Sequence, residues 1–453
     1  MSESRTQPPT TAGAAARSVF FFGSFGGILA GYDQGIAAGS LLFISPALGL
    51  TPWTKGLVVS SLMFGAILGS LVAGSLAERW GRRPILQVGA AVFGISALGM
   101  ALAPSVAVLV AARVLGGLAV GIASVVVPTY LSELAPTRNR GGIATLNQLM
   151  IAIGIFAAYV ISLVLSPWGA WRWMLGLALV PSLLLLIGVS RSPETPRWLV
   201  ARGREDEARR VLGRQVGEQE ADAVLDDIRR ARDAEPRRER ARWRELLTPA
   251  LRRPLLVAVG LALLQQFIGI NTIVYYAPTI LRAAGFGDSA ALLNSVGLGA
   301  LSIVTTLITA RVVDSVGRKR LLLIGGTAML LSMTVLAVLF GGELLDGVAG
   351  ATGAVLCLAV FKVAFSLSWG PLMWVLLPEQ FPLRVRTLGV GVGSFANWTG
   401  NLLVSQFFPV LLVFGAGAVF GIFAGFAVLA LIFTATCLRE TSRRSLEELE
   451  LDA

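Results

Sequence analysis

One apolar stretch of this sequence carries side-chain amides in its middle. Residues 255–278 read LLVAVGLALLQQFIGINTIVYYAP, which is long enough to cross a bilayer, since about 20 apolar residues suffice. The stretch contains Gln265, Gln266 and Asn271, and an amide inside hydrocarbon costs free energy unless another group hydrogen-bonds to it. We therefore expect these amides to face a protein interior or a wet cavity, where neutral donors and acceptors suit a neutral, hydroxyl-rich ligand. The alternative is that they only join this helix to its neighbours.

Gly269 separates two of these amides along the chain. In an unbroken helix, at about 100° per residue, Gln266 and Asn271 would point about 140° apart. A glycine is a position at which a membrane helix can break, and broken helices often frame binding sites inside membranes. We therefore predict a break at Gly269 that lets both amides point at one site.

A second chemical feature is an acid inside an apolar span. Asp33 is the only carboxylate well inside such a span, and placing an acid there costs roughly 2.5 to 3.5 kcal/mol. At about 1.5 Å per residue, Asp33 lies roughly 22 Å from the cytoplasmic start of its span, and Arg113 lies roughly 12 Å from the start of its own span on the opposite side. In a hydrocarbon core of about 30 Å, the two residues are then at nearly the same depth. We expect the two to pair. Burial favours the protonated acid and a nearby arginine favours the carboxylate, so a small rearrangement would change the proton affinity; the alternative is a static ion pair.

The composition identifies the class of protein that holds these residues. Hydrophobic residues make up 55% of the 453 residues and the mean hydropathy is +0.73, so the chain is a polytopic membrane protein. It has no histidine, and its two cysteines, Cys357 and Cys437, should lie at different depths, so we expect neither a metal site nor a disulfide. Any proton carrier is then a carboxylate. Twelve apolar segments cover about 18–40, 54–77, 85–103, 105–131, 141–165, 171–190, 253–282, 289–313, 321–342, 351–377, 387–413 and 415–437.

The placement of positive residues predicts the orientation in the membrane. Short loops rich in Lys and Arg stay in the cytoplasm, and such clusters follow spans 2, 4, 8 and 10. Both termini should therefore be cytoplasmic, in a multi-pass protein of the cell membrane. The net charge of +11 then reflects topology and attraction to anionic lipid, not nucleic-acid binding.

One long polar segment divides the spans into six and six. We expect a cytoplasmic N-terminal tail at 1–17, a six-helix bundle at 18–190, a linker at 191–252, a second bundle at 253–437 and a C-terminal tail at 438–453. The linker places acids and arginines three and four residues apart, which favours short surface helices over an unstructured tether.

The two halves of the chain repeat each other. Glu78, Gly81, Arg82 and Arg83 recur 236 positions later as Asp314, Gly317, Arg318 and Lys319. Glu133, Pro136, Arg138 and Arg140 recur 246 positions later as Glu379, Pro382, Arg384 and Arg386. Two repeated six-span bundles are typical of proteins that rock the bundles about a central site.

Nine motifs then follow one another in a fixed order along the chain. They are GYDQG at 31–35, ERWGRR at 78–83, RVLGGLAVG at 113–121, SELAPTRNRG at 132–141, PETPRWL at 193–199, QQFIGINTIVYYAP at 265–278, DSVGRK at 314–319, SWGPLMWVLLPEQFP at 368–382 and NWTGN at 397–401. With them the chain resembles the sugar porters of the major facilitator superfamily, which include bacterial proton-sugar symporters and animal facilitative glucose carriers. The resemblance covers nearly the whole chain after the N-terminal tail. It implies an all-α membrane protein with the major facilitator fold: twelve transmembrane helices in two pseudo-symmetric six-helix bundles, joined by a cytoplasmic helical linker.

The resemblance also implies a sugar site. The family positions fall on Gln148 in span 5, Gln265, Gln266 and Asn271 in span 7, Trp374 in span 10 and Asn397 in span 11. Amides would satisfy ring hydroxyls, and an indole would cover an apolar face of the sugar. Two positions depart from the family pattern: Ala30 replaces an aromatic residue, and Ser302 replaces an asparagine on span 8. Both changes reshape the pocket and leave the identity of the sugar open.

Charged residues receive roles from the same resemblance. Proton-coupled members carry aspartate at the position of Asp33 and passive carriers carry asparagine, so Asp33 with Arg113 is expected to couple proton to sugar. The cytoplasmic charges are expected to form an ion-pair latch between the halves while the outside is open. They are Arg82, Glu133, Arg140, Glu194, Arg197, Arg318, Glu379, Arg386 and Glu440. A single exposed ion pair contributes about 0 to 1 kcal/mol, so only a network of pairs would shift the equilibrium between conformations of the two halves. The alternative is that the arginines only set the orientation of the protein in the membrane.

These observations favour a proton-coupled symporter of a monosaccharide, a hexose or pentose such as glucose or xylose. We expect no cofactor beyond the proton, and a functional monomer in the lipid bilayer. A passive sugar or inositol-like polyol uniporter and a non-transporting sugar sensor remain alternatives, whereas an enzyme is disfavoured because no nucleophile or cofactor motif is present. Glycines at four-residue spacing on spans 1, 4 and 12 predict close helix packing. Lys362, inside span 10, has no assigned role.

Overall fold

The computed structural model describes residues 25–134, 140–234, 243–342, 344–345, 348–382 and 384–438, and the regular structure in these ranges is entirely helical. The N-terminal tail and nearly all of the C-terminal tail lie outside these ranges. The α-helices are α1 Phe25–Ala47, α2 Pro52–Trp80, α3 Arg82–Ala101, α4 Val106–Leu134, α5 Arg140–Leu165, α6 Trp171–Gly176, α7 Leu179–Arg191, α8 Pro196–Ala201, α9 Glu205–Val216, α10 Glu218–Ala234, α11 Pro249–Phe267, α12 Ile270–Ala283, α13 Asp288–Val316, α14 Arg318–Gly341, α15 Val348–Leu367, α16 Trp369–Glu379, α17 Arg386–Leu411 and α18 Ala416–Cys437. Short 3₁₀ helices cover Ser166–Trp168, Trp243–Leu247 and Leu412–Phe414.

The helices follow the twelve predicted spans. Among the described residues, eleven spans are long and apolar enough to cross a membrane. The remaining one, α17, is 26 residues long but less apolar, since it carries Asn397, Asn401 and Gln406. The first span ends at Ala47, later than the predicted residue 40, because the apolar residues 41–44 continue the helix.

Three spans are each built from two helices. Span 7 breaks between α11 and α12 at Gly269, whose φ of 98° is the left-handed conformation that glycine adopts without a steric penalty. The predicted break at this glycine is confirmed. Span 10 breaks between α15 and α16 at Ser368, and span 6 bends between α6 and α7; neither interruption was predicted.

Two bundles make up the membrane part of the molecule. The N half consists of α1–α7, in which α2 packs on α4 and α1 on α5; the C half consists of α11–α18, in which α14 packs on α18 and α11 on α17. One apolar core lies within the N half, and a second lies mainly in the C half. The halves meet where α5 packs on α13 and α2 packs on α17, and α1 also packs against α12.

Glycines allow several of these helices to approach closely. A Cβ at Gly31 would lie 2.0 Å from the carbonyl oxygen of Ile151, and one at Gly117 would lie 2.0 Å from that of Leu62. Close packing at these glycines is therefore confirmed for spans 1 and 4. The prediction is wrong for Gly421 and Gly425 on span 12, where a Cβ would meet no described atom within 4 Å.

The linker forms a small helical unit, as predicted. Leu212 and Leu225 belong to a separate apolar core, and α9 and α10 are held together by ion pairs such as Arg229 to Glu205 and Arg209 to Asp222. Residues 235–242 of the linker lie outside the described ranges.

The linker contacts both halves. Trp198 Nε1 donates a hydrogen bond to the carbonyl oxygen of Glu78 at the end of α2, at 3.0 Å. On the other half, Arg384 Nη2 lies 3.3 Å from both carboxylate oxygens of Glu245 in the 3₁₀ helix before α11.

Candidate substrate site and buried ion pair

The linker helices lie at one end of the two bundles. We call the end that carries α8–α10 the linker side and the opposite end the far side. Because successive spans alternate in direction, the first turns of α2 and the last turns of α17 lie at the far side.

Gln265 is the centre of an amide cluster in the C half. Its Nε2 donates to the carbonyl oxygens of Trp369 at 2.8 Å and Gly370 at 3.3 Å, both in the first turn of α16. Its Oε1 accepts from Asn397 Nδ2 at 2.7 Å and from Gln266 Nε2 at 3.1 Å. With both hydrogens and both lone pairs in use and 3% of the residue exposed, Gln265 ties α11 to α16 and α17.

The break at Gly269 brings the next two amides together. Asn271, at the start of α12, donates through Nδ2 to Gln266 Oε1, the last-turn residue of α11. An unbroken helix would separate these side chains, so this contact depends on the left-handed glycine between them. The structure thus assembles four of the predicted sugar residues, Gln265, Gln266, Asn271 and Asn397, into one hydrogen-bonded cluster.

The cluster leaves specific atoms for a ligand. Asn397 Nδ2 is shared between Gln265 Oε1 and the carbonyl of Ala262, at 2.7 and 3.3 Å, so its Oδ1 is the acceptor that remains. Asn271 Oδ1 and one hydrogen of Gln266 Nε2 likewise make no hydrogen bond within the described part of the chain. Two acceptors and a donor within one cluster are the groups that can pair with hydroxyls, each of which both donates and accepts.

Gln148 and Trp374 are not part of this cluster. Gln148 on α5 is exposed, and Trp374 on α16 is 47% exposed. Neither side chain hydrogen-bonds to the four amides among the described residues. Their proposed contacts with sugar therefore stay predictions.

Asp33 and Arg113 form the ion pair expected from their depth. Asp33 Oδ2 lies 3.4 Å from Arg113 Nη2, and both side chains are 1% exposed. Asp33 Oδ1 and Arg113 Nε are buried and have no hydrogen-bond partner in the described part of the chain. The pair joins α1 to α4 within the N half and holds an acid oxygen that is free to bind a proton.

The predicted latch residues pair inside each half. Arg82 Nη2 lies 3.1 Å from Glu133 Oε1 in the N half, and Arg318 Nη2 lies 3.1 Å from Glu379 Oε1 at the repeat-related place in the C half. Both pairs lie on the linker side. The residues that repeat in the sequence therefore also form the same ion pair in each half.

The other latch residues make local contacts or lie outside the described part. Glu194 accepts hydrogen bonds from the backbone nitrogens of Arg82 and Arg83 at 3.2 and 3.1 Å, and so caps the N-terminus of α3. Burial raises the pKa of the Glu194 carboxyl, and these backbone N–H groups oppose that rise. Arg386 Nε donates to the carbonyl of Phe381 at 3.2 Å, and Arg197 is exposed. The Arg140 side chain and all of Glu440 lie outside the described residues, so a latch between the halves stays a prediction.

Polar contacts between the halves lie at the far side. Tyr159 OH on α5 donates to the carbonyl of Val274 on α12 at 2.7 Å, and Ser60 Oγ on α2 donates to Gln406 Oε1 on α17 at 2.7 Å. Sequence reasoning missed Gln406, although an amide inside an apolar span was the signal that identified Gln265. It also missed the contact of Gln265 with the carbonyls of Trp369 and Gly370, for which the sequence carries no comparable signal.

Comparisons with known proteins agree with this arrangement. The sequence model of a family described as Sugar (and other) transporter matches residues 19–453. The glucose transporter GlcP of Staphylococcus epidermidis is 42% identical over 436 residues, 96% of this chain and 96% of that protein. The D-xylose transporter of Levilactobacillus brevis is 41% identical over 438 residues, 95% and 94% of the two chains.

Solved structures of one further transporter match the fold. The inward open conformation of the xylose transporter XylE from E. coli matches with a TM-score of 0.85 and 29% identity, over 96% of this chain and 99% of that chain. The proton:xylose symporter XylE bound to 6-bromo-6-deoxy-D-glucose matches with a TM-score of 0.78 and 30% identity, over 97% and 99%. The chain therefore belongs to the sugar transporter family of the major facilitator superfamily and is a multi-pass membrane transporter, not an enzyme.

Proposed function

We propose that this protein imports a monosaccharide, a hexose or a pentose, together with a proton, by alternating access of one central site to the two sides of the membrane. The linker side is the cytoplasmic side in this proposal, because the arginine-rich loops lie there. The observation that carries the proposal is one chain that holds both an amide cluster at two helix breaks and a buried acid-arginine pair. The names of the relatives, a glucose transporter and a D-xylose transporter, support the class of substrate.

Sugar recognition in this proposal uses atoms that the cluster leaves unpaired. Asn271, Gln266 and Asn397 offer acceptors and a donor to ring hydroxyls, while Gln265 holds them in place. Gln148 and Trp374 come from opposite halves, so closure of the halves around a sugar would add a donor and an aromatic face. Their exposure, together with the closed far side, supports access from the linker side in this conformation.

Proton coupling in this proposal uses Asp33. A proton on Oδ1 neutralises the acid and weakens its attraction to Arg113, whose charge then has to be accommodated by a shift of α1 relative to α4. Because α1 packs against α12, which begins next to Asn271 at the amide cluster, such a shift reaches the sugar site. The proton and the sugar then favour the same rearrangement of the halves.

The experiment that tests coupling is Asp33→Asn in proteoliposomes. We expect sugar counterflow to survive, since the sugar site is intact, and accumulation driven by a pH gradient to disappear. Asp288→Asn is the matched control, since that exposed aspartate pairs with Arg282 outside the core. If Asp33→Asn still accumulates sugar against its gradient, the coupling is wrong; if the wild-type protein shows counterflow without accumulation, it is a passive uniporter.

Competition decides the substrate. Counterflow of labelled glucose is measured in the presence of xylose, galactose, arabinose or inositol in excess. The strongest competitor defines the sugar class, and selective competition by inositol would favour a polyol carrier over a monosaccharide carrier.

A further inference from the structure

Gln406 on α17 connects the two halves at the far side through its side chain. Its Oε1 accepts a hydrogen bond from Ser60 Oγ at 2.7 Å, and its Nε2 donates to the carbonyl of Trp53 at 3.2 Å. Both partners belong to α2 of the N half, and 7% of Gln406 is exposed. We call Trp53, Ser60 and Gln406 the far-side lock.

The backbones of α2 and α17 touch at the same place. A Cβ at Gly56 would lie 2.1 Å from the carbonyl oxygen of Gln406, so the backbones of the two helices are in direct contact beside the lock. The rings of Trp53 and Phe407 lie edge to face with centroids 6.0 Å apart. With both polar groups of its amide paired, Gln406 cannot leave α2 without exchanging these hydrogen bonds for water.

The lock is also connected to the sugar site. Tyr276, one and a half turns after Asn271 on α12, donates through its hydroxyl to the carbonyl of Ser405 at 2.8 Å, one residue before Gln406. A displacement of α12 at the amide cluster therefore pulls on the segment that carries the lock. The backbone of α12, the hydrogen bond from Tyr276 to Ser405 and the backbone of α17 thus connect Asn271 to the contact between the halves.

We propose that Gln406 is a positioning residue of the transport cycle: its amide holds the far side closed through Ser60 and Trp53, and the far side opens only when these hydrogen bonds are released. This rests on the proposed alternating access, but it concerns the balance of states and not the substrate. Two net hydrogen bonds favour the far-side-closed state by about 5- to 150-fold, and the single bond to Ser60 by about 2- to 12-fold. Gln406 thus sets the fraction of molecules whose far side is open in the absence of sugar.

The test measures opening without any transport. Val59, fully buried beside the lock in the apolar core that the halves share, is replaced by cysteine in a protein whose two native cysteines are serine, and its labelling by a polar thiol reagent is followed in purified, sugar-free protein. We expect Gln406→Leu to raise the labelling rate about 5- to 150-fold and Ser60→Ala about 2- to 12-fold. Ser61→Ala is the matched control, because that buried neighbour donates only to the carbonyl of Val58 on its own helix.

Two outcomes would overturn the proposal. The first is a wild-type labelling rate in both Gln406→Leu and Ser60→Ala, with melting temperatures that show folded protein. The second is equal acceleration by Ser60→Ala and Ser61→Ala, which would mean general loosening of α2. Neither outcome bears on which sugar is carried or on proton coupling, since the measurement contains neither a sugar nor a pH gradient.

Discussion

Alanine at Gln265 and alanine at Asn271 should have opposite consequences, although both residues belong to the same amide cluster. Gln265→Ala removes four hydrogen bonds from a buried position. The carbonyl of Trp369 and the amide of Asn397 then each lose one hydrogen-bond partner. At about 0.5 to 1.5 kcal/mol net per bond, we expect the folded state to lose about 2 to 6 kcal/mol. Asn271→Ala removes one bond to Gln266 from a half-buried side chain, so its effect on unfolding should stay near 1 kcal/mol.

Binding should follow the reverse order. Asn271 has an acceptor for the sugar, and its loss should weaken binding by about 5- to 150-fold, as should alanine at Gln148, Gln266 or Asn397. Gln265→Ala should weaken sugar binding only in proportion to the disorder that it causes.

The assay pairs thermal unfolding with sugar affinity in the same detergent-purified samples. Stability is read from tryptophan fluorescence on heating, and affinity from the shift of the melting temperature with sugar concentration and from counterflow. The reasoning is refuted if Gln265→Ala melts like the wild type while losing affinity, because Gln265 would then be a ligand contact. It is equally refuted if alanine at the other four positions leaves affinity unchanged in folded protein.

Three further predictions follow from particular contacts. Glu133→Gln removes the acid opposite Arg82, so we expect slower transport with the linker side open more often; unchanged labelling of cysteines on both sides would leave these residues as topology signals. Gly269→Ala should abolish binding and lower the melting temperature, because an alanine at φ 98° is strained and its Cβ would lie 2.9 Å from the ring of Phe423; normal binding would show that the break is dispensable. Lys362→Met should raise the melting temperature, since the lysine is 9% exposed and has no hydrogen bond or ion pair with a described residue; a lower melting temperature would reveal a partner.

Local sequence cues predicted the parts of the site that lie close together in sequence or at one depth. Gly269 between two amides predicted the break, and equal depth predicted the pairing of Asp33 with Arg113, because both arguments need only helix geometry and the cost of burying polar groups. Apart from pairing by charge and depth, those cues give no information on which side chains meet across helices. Gln265 is predicted from the sequence to contact sugar, and the sequence does not show that its amide also donates to the carbonyls of Trp369 and Gly370, because those carbonyls lie on another helix.

The same limit explains the latch. Arg82 and Glu133 were identified as charges at helix ends, and the repeat placed Arg318 and Glu379 at matching ends. A sequence cannot distinguish a pair within one half from a pair across the halves, because both arrangements use the same charges at the same helix ends. The structure contains the pairs within each half, which fits a conformation closed at the far side.

The repeat also locates an asymmetry that bears on coupling. The offset of 246 positions relates Arg113 to Ala359, one helical turn before Lys362, so each half carries a cation at nearly the same level of a related helix. Arg113 faces Asp33, whereas Lys362 faces no carboxylate among the described residues. The N half can therefore hold a proton in its buried pair, while the C half holds the sugar-facing amides. In the proposed mechanism coupling passes between the halves, and α1, which carries Asp33, packs on α12, which carries Asn271. Substitutions at that contact should therefore separate proton binding from sugar movement while both sites stay intact.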